Sequence, residues 1–237
     1  MVKVAVVTGA SKGIGKAVTE NLLKKGWEVY GVSRNATEAL PQTDNYHHMV
    51  FDLSRPVNLP DLVDLLPQRI DLLVNNVGVW EVRAVAEVDL VHLEETFNLN
   101  LFSPMVLTKL LLSRFFEKGI VINVSSIMSM LIDSGFSAYC ASKAGLDRFT
   151  TTLAKEHTNI RAVGILPAST DTPQGEEKAL PTDDPKTMLT SEEVAGVVMQ
   201  AVVGKFKSGS LVVVVNNEME SWWRGRDKYR VVNVDRS

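Results

Sequence analysis

The sequence predicts an α/β fold in which helices cover both faces of a doubly wound, mainly parallel sheet of seven strands. Short apolar runs alternate with longer segments of helical period, as in β-α units. A glycine-rich turn follows the first apolar run, and 45% of the 237 residues are hydrophobic, which is enough for one large core. A chain of this length could form one large α/β domain or two small ones, and we expect residues 1–237 to form a single domain. We find no internal repeat and no low-complexity segment.

Seven apolar runs have the length and composition of buried strands. In chain order they are Lys3 to Thr8, Glu28 to Ser33, His47 to Asp52, Leu72 to Asn75, Gly119 to Val124, Ile160 to Leu166 and Leu211 to Val215. Near the end of the chain, the segment from Tyr229 to Val234 has the composition to form a further strand.

Helices are predicted between these strands. The first runs from Gly15 to Lys25, where apolar residues recur at helical spacing, and Gly26 ends it as a C-cap. The later helices are predicted at Pro60 to Leu66, Asp89 to Phe116, Ser137 to Glu156 and Ser191 to Val203.

Two regions interrupt this alternation. Pro173 to Met188 is rich in Pro, Asp and Glu and follows a strand end, so residues 173–188 are predicted to form a short lid over a ligand. Residues 216–237 form an atypical tail that contains Trp222 and Trp223. These two side chains either cover an interface or contribute to a site in the same or a neighbouring subunit.

Charge and cysteine content narrow the possible classes of function. A net charge of -3 and a pI near 5.9 argue against nucleic acid as the main partner. Cys140 is the single cysteine, so no intramolecular disulfide can form, and we interpret it as a small buried side chain. The sequence suggests no signal peptide, membrane span or metal site, and we expect a cytoplasmic protein that acts on a small molecule.

A glycine-rich segment, Thr8-Gly9-Ala10-Ser11-Lys12-Gly13-Ile14-Gly15, joins the first predicted strand to the first helix. The amino end of a helix attracts phosphate, and missing Cβ atoms let the backbone approach a pyrophosphate. The alternative is a glycine-rich turn that binds no ligand. We expect this turn to bind a dinucleotide through Gly9, Ser11, Lys12, Gly13, Ile14 and Gly15.

The second predicted strand ends at Ser33-Arg34, where a carboxylate would hold the 2′-hydroxyl of NAD. The residue here is basic. Arg34 and Lys12 would instead suit the 2′-phosphate of NADP(H), which is therefore the predicted cofactor. The alternative is that both are solvated surface charges.

Tyr139 and Lys143 are four residues apart in a segment predicted to be helical, so their side chains share a face. A nearby ammonium group favours the phenolate and lowers the pKa of a tyrosine, so we expect Lys143 to lower the pKa of Tyr139. Tyr139 is then a candidate proton donor. Alone, the spacing is a weak signal, because a short motif recurs by chance.

Six motifs in order make the chain resemble the short-chain dehydrogenase/reductase family up to about Val215. Besides the glycine-rich segment and the Tyr-Lys pair, these are Asp52-Leu53, Asn75-Asn76-Val77-Gly78, Asn100, and Ser126, which precedes Tyr139 by thirteen residues. The resemblance implies a Rossmann fold and a homo-oligomer, either a dimer or a tetramer.

The resemblance also implies roles for individual residues. Tyr139 would donate a proton to a carbonyl oxygen, Ser126 would hydrogen-bond that oxygen, Lys143 would hold the nicotinamide ribose, and Asn100 would bind a relay water. The alternative for Asn100 is a buried kink in the long helix. Further cofactor contacts would come from Asp52, Leu53, Asn76, Gly78, Pro167, Thr170 and Thr172.

The chain departs from the family pattern at Pro167-Ala168, where Pro-Gly is usual, and at Asn216-Asn217-Glu218, where Asp-Gly-Gly is usual. The first change bears on contacts to the nicotinamide amide. The second bears on the contacts between subunits of a tetramer.

The resulting functional prediction is an NADPH-dependent reductase of a ketone or aldehyde. One alternative is a 3-oxoacyl-(acyl carrier protein) reductase, for which Arg148 is a candidate contact to the acidic carrier. A non-enzymatic alternative is an NADP-binding, redox-sensing regulator. Ile127, Met128 and Met130 are expected either to border the substrate pocket or to belong to the core.

Overall fold

The computed structural model describes residues 1–35, 43–172, 188–216 and 230–234. Its main sheet has eight strands in the order β10-β9-β6-β5-β4-β1-β2-β3, and all of its strand pairs are parallel. Two further short strands, β7 and β8, pair with each other. The strands are β1 Val4–Thr8, β2 Glu28–Ser33, β3 Tyr46–Val50, β4 Ile70–Asn75, β5 Phe115–Val124, β6 Arg161–Pro167, β7 Thr170–Asp171, β8 Leu189–Thr190, β9 Leu211–Asn216 and β10 Arg230–Val234.

The doubly wound parallel fold is confirmed, with one correction to the number of strands. The main sheet has eight strands and not seven, because β10 extends it beside β9, with Val231 opposite Val213. The chain runs from β1 outward to β3 and then returns to β4 on the other side of β1. Ligands of open α/β sheets bind where the strand order reverses in this way, at the carboxyl ends of the strands.

Helices cover the two faces of the sheet. They are α1 Gly13–Lys24, α2 Leu59–Leu65, α3 Leu90–Phe97, α4 Ser103–Leu111, α5 Ser137–Glu156 and α6 Ser191–Val202. The apolar side chains of α1 and α6 pack into one buried cluster, and those of α2, α4 and α5 pack into another. In the described part of the chain, no helix is both long and apolar enough to cross a membrane.

The long helix predicted from Asp89 to Phe116 is wrong at two points. A π-helical turn, Asn98–Phe102, separates α3 from α4. The helical segment ends before Phe115, where β5 begins. The guanidinium of Arg114 donates to the carbonyls of Val63 and Leu66 at 2.6 and 2.9 Å. These bonds tie the chain to the end of α2. Strand β5 then contains a register shift, with Phe115 opposite Ile70 and Ile120 opposite Leu72.

Buried amides align the strands that carry the site. Asn75 at the end of β4 donates to Asn123 Oδ1 on β5 at 2.8 Å and to Thr108 on α4 at 3.2 Å. Asn123 in turn donates to Thr150 on α5 at 2.8 Å. All four side chains are buried, and a satisfied buried network rigidifies the groups it joins. It fixes α5 against the carboxyl ends of β4 and β5.

Candidate active site

The glycine-rich turn between β1 and α1 needs glycine for two different reasons. Gly9 and Gly13 have φ angles of 70° and 56°, in the left-handed region that side chains disfavour. Gly15 has no room for a Cβ, which would lie 2.2 Å from the carbonyl oxygen of Gly9 and 2.6 Å from Nδ2 of Asn76. The turn therefore packs against itself and against the segment that follows β4.

Thr8 and Asn76 join the carboxyl ends of β1 and β4. The hydroxyl of Thr8 accepts hydrogen bonds from the backbone N–H groups of Asn76 and Val77, at 2.8 and 3.1 Å. The side chain of Asn76 donates to the Thr8 carbonyl at 3.0 Å. These bonds hold the segment after β4 beside the glycine-rich turn.

Asn100 lies in the π-helical turn and is fully buried. Its Oδ1 accepts from the N–H of Val79 at 2.8 Å, while its Nδ2 donates to the carbonyl of Val79 at 2.8 Å and to Ser142 at 3.0 Å. A Cβ on Gly78 would lie 3.2 Å from Asn100 Oδ1 and 3.1 Å from Lys143 Nζ. Asn100 is thus both a packed residue of the helix kink and a neighbour of Lys143, so its two interpretations are compatible.

Ser126, Tyr139 and Lys143 meet at the carboxyl end of β5. Ser126 caps a short 3₁₀ turn, where its hydroxyl accepts from the N–H of Met128 at 3.1 Å, and its side chain also hydrogen-bonds Tyr139. Lys143 donates to the carbonyl of Val124 at 3.0 Å, and its Nζ lies 5.8 Å from the centre of the Tyr139 ring. Ser125 donates to the carbonyl of Lys143 at 3.3 Å and so ties the end of β5 to α5.

The pKa values of this group differ from the expectation. Burial raises the pKa of Tyr139 to about 12, and its hydrogen bond with Ser126 opposes that shift. Burial also lowers the pKa of Lys143 to about 8, and the charge of Asp147 opposes it. Lys143 was expected to lower the pKa of Tyr139, but its ammonium donates to the carbonyl of Val124, and desolvation sets the direction of the shift of the phenol.

Asp147, a buried carboxylate one helical turn after Lys143, was not predicted from the sequence as a site residue. Its burial raises its pKa to about 6, while the charge of Lys143 opposes that shift. A residue one turn from Lys143 on α5 lies on the same face, which is the one signal that would have found it.

One continuous cleft of about 750 Å³ runs along the carboxyl ends of the strands. It brings together most of the predicted site residues: Gly9, Ser11, Lys12, Gly13, Ile14, Arg34, Asp52, Leu53, Asn76, Gly78, Ser126, Tyr139, Lys143, Pro167, Thr170 and Thr172. Gly15 and Asn100 do not line it but pack behind its wall. Of the predicted pocket border, Ile127 and Met128 line the cleft, whereas Met130 packs against the core.

Aromatic residues that sequence reasoning missed line the same cleft. The rings of Trp80 and Phe136 stack with centroids 6.0 Å apart, and Phe136 meets Tyr139 edge-on at 6.3 Å. The backbone N–H of Arg83 donates to the carbonyl of Gly135 at 2.9 Å and so joins the two loops that carry Trp80 and Phe136. Neither loop has a periodic pattern that would have revealed this contact.

Some expectations concern residues outside those described. The predicted lid lies there except for Met188, which lines the cleft, and so do Trp222 and Trp223 in the tail. The thiol of Cys140 is half-buried, and burial raises its pKa, which fits an unreactive packing residue.

Comparison with known proteins gives consistent matches. The family model described as short chain dehydrogenase matches residues 3–182. Benzil reductase ((S)-benzoin forming) of Bacillus subtilis is 33% identical over 182 residues, which are 70% of this chain and 74% of that protein. L-xylulose reductase of Caenorhabditis elegans is 30% identical over 196 residues, 78% of each. A solved short-chain dehydrogenase of Streptomyces avermitilis superposes with a TM-score of 0.80 at 28% identity, covering 95% of this chain and 92% of that one.

Proposed function

The chain belongs to the short-chain dehydrogenase family, whose members are NAD(P)-dependent oxidoreductases acting on CH–OH and C=O groups, and from this premise we propose that it is an NADPH-dependent reductase of a ketone or aldehyde. The observation that carries the proposal is the continuous cleft. Arg34 and Lys12 line it together with the glycine-rich turn, and Ser126, Tyr139 and Lys143 line it as well.

The residues present fit a dinucleotide. The α1 helix begins at Gly13, has no acidic residue in its first turn and no side-chain cap, so its N–H groups are available to a pyrophosphate. Asn76 and Gly78 would border the ribose, and Thr170 and Thr172 the amide. Exposed Arg34 and Lys12 would hold a 2′-phosphate. When bound, the cofactor would supply the hydride.

The proton would come from Tyr139. With a pKa raised to about 12, this phenol is protonated at neutral pH, which is the form required to donate to a carbonyl oxygen that is being reduced. Ser126, which hydrogen-bonds Tyr139, would bind the same oxygen and stabilise its developing charge. Lys143 would hold the ribose, and Asn100 would hold a relay water beside it.

The aromatic wall favours aryl ketones among the possible substrates. Trp80 and Phe136 stack beside Tyr139, and flat aromatic groups pack well against such rings. The benzil reductase relative bears a name for reduction of an aromatic diketone, which supports the same choice. We therefore place aromatic ketones and diketones first among candidate substrates.

The alternatives receive less support from the described residues. Arg148, the candidate contact for an acyl carrier protein, is exposed on α5 and does not line the cleft. A redox-sensing regulator would need only the cofactor half of this cleft, whereas the proposed proton-donating residues line it too. A single domain, a cytoplasmic location and a homo-oligomer remain predictions.

Steady-state kinetics would test the proposal. We expect kcat/KM to be at least tenfold higher with NADPH than with NADH in the reduction of benzil or simple aryl ketones. Arg34→Asp should remove that preference while leaving the NADH reaction intact. A clear preference of the wild type for NADH would refute the choice of cofactor. Turnover confined to an acetoacetyl thioester would favour the carrier-protein alternative.

A further inference from the structure

Three side chains form a hydrogen-bonded chain across the ends of β2 and β3, beside the part of the cleft lined by Arg34. Tyr46 Oη lies 2.7 Å from Nδ1 of His48. On the other side of the ring, Nε2 lies 3.1 Å from the hydroxyl of Ser33 and 3.1 Å from the carbonyl oxygen of Asn35. The hydroxyl of Ser33 donates to that same carbonyl at 2.8 Å. His48 therefore binds the residues on both sides of Arg34.

The proton positions in this chain follow from its partners. Ser33 uses its one hydroxyl proton on the carbonyl of Asn35, so both neighbours of Nε2 on His48 are acceptors and Nε2 must carry a hydrogen. In a neutral imidazole Nδ1 is then an acceptor, and Tyr46 donates to it. Burial raises the pKa of Tyr46 to about 12, which keeps that donor protonated. One tautomer satisfies every group.

The hydrogen-bonded side chains also lie close to the glycine-rich turn. His48 pairs with Gly31 in the sheet register, and a Cβ on Gly31 would lie 2.5 Å from Tyr46 Oη and 2.8 Å from the Cβ of Ala10. The phenol of Tyr46 therefore occupies the space that a side chain at position 31 would fill. Ala10 follows Gly9, so the hydrogen-bonded chain links the end of β2 to the turn that begins the cofactor site.

We propose that His48 is a positioning residue for recognition of an adenosine 2′-phosphate, an inference that rests on the proposed use of NADPH. Arg34 is exposed, and its backbone is held on both sides by groups that His48 binds. Without these bonds the segment 33–35 would gain conformational freedom, and ordering this segment around a phosphate would cost more free energy. NAD has no 2′-phosphate, so its binding depends less on the segment that carries Arg34.

The test is the affinity of the intact protein for NADP⁺ and NAD⁺, measured by calorimetry. His48→Leu should weaken NADP⁺ binding about tenfold, the usual effect of losing one or two hydrogen bonds, and change NAD⁺ binding less than twofold. His48→Gln, whose amide N–H can replace the Nε2 donor, should recover most of the loss. The matched control is His47→Leu, because His47 lies on the other face of β3, stacked on Tyr30.

Each outcome decides between explanations. An equal loss of affinity for both dinucleotides in His48→Leu would mean a general structural role and would overturn the inference, as would unchanged affinities. A wild type that prefers NAD⁺ would refute the proposed cofactor and this inference with it. A wild type that prefers NADP⁺, with an unaltered preference in the variant, would refute this inference alone. If His48→Leu does not fold, Tyr46→Phe decides: about threefold weaker NADP⁺ binding with unchanged NAD⁺ binding is expected, and unchanged binding of both dinucleotides would overturn the inference.

Discussion

Replacing Lys143 by methionine should stabilise the fold while it abolishes turnover. Lys143 is 3% exposed, and its pKa is lowered from 10.5 to about 8. Each pKa unit corresponds to about 1.4 kcal/mol, so keeping this group charged at pH 7 costs the folded state about 3 kcal/mol. Methionine has a similar length and no charge to bury.

Two losses reduce that gain. The hydrogen bond from Lys143 to the carbonyl of Val124 contributes about 1 kcal/mol. Asp147 is buried nearby with a pKa raised to about 6, and its ionisation becomes more costly without the lysine charge. The expected net increase in the free energy of unfolding of Lys143→Met at pH 7 is therefore about 1 to 2 kcal/mol.

The sign of the pH dependence distinguishes this explanation from improved packing. Because the pKa of Lys143 is lower in the folded state, the folded protein binds fewer protons than the unfolded chain between pH 8 and 10.5. The cost is fully present below pH 8 and disappears as the pH rises to 10.5. The advantage of Lys143→Met over the wild type should disappear over the same range.

Urea denaturation at pH 7 and pH 10.5 would measure both quantities. Lys155→Met is the matched control, since Lys155 is exposed on the same helix, and its free energy of unfolding should change by less than about 0.5 kcal/mol. A Lys143→Met variant less stable than the wild type at pH 7, or equally stabilised at both pH values, would refute the reasoning.

Three further changes test the site. Tyr139→Phe should abolish turnover and leave the Kd for NADPH within twofold, because only the transferable proton is removed; retained turnover would contradict the assigned role. Asn100→Ala should lower the free energy of unfolding by about 2 to 4 kcal/mol, since the backbone N–H and carbonyl of Val79 both lose their partner, whereas Asn98→Ala in the same turn should cost under about 0.5 kcal/mol; equal effects would argue against this role of Asn100. Gly15→Ala should destabilise the fold and weaken NADPH binding more than tenfold, because its Cβ would lie 2.2 Å from a backbone oxygen, while Gly196→Ala, an exposed helical glycine with open space around it, should raise stability by about 0.5 to 1 kcal/mol. Thermal denaturation would measure the changes in stability, and titration with NADPH would measure the changes in affinity.

The sequence predicted those parts of the fold that depend on local pattern. The runs that became β1 and β9 are almost continuous in apolar residues, as expected of strands buried on both faces, and Gly9 and Gly13 mark a turn that needs left-handed angles. Fixed spacing along α5 was enough to place Tyr139 and Lys143 in one cleft. Such features are encoded within a few residues of each other.

The errors occurred where distant groups decide the local structure. Nothing near Phe115 signals the start of β5, because the carbonyls that Arg114 binds, those of Val63 and Leu66, lie at the end of α2 and are distant in sequence. The chain end could be predicted to form a strand, but not to join the main sheet. Strand β10 pairs with β9 in parallel, and a parallel pair has no tight hairpin turn that would signal the pairing in the sequence.

The direction of the pKa shift of Tyr139 also depends on the tertiary structure. A lysine four residues after a tyrosine suggests a lowered phenol pKa, but the folded protein turns that ammonium toward Val124 and buries both groups. The sequence by itself determined the family, the doubly wound fold and the identity of the candidate proton donor. Only the tertiary structure decided the packing of Trp80 on Phe136, the partners of Asn100 and the hydrogen bonds that join Tyr46, His48 and Ser33. The reason is that desolvation and hydrogen bonding depend on which distant segments meet.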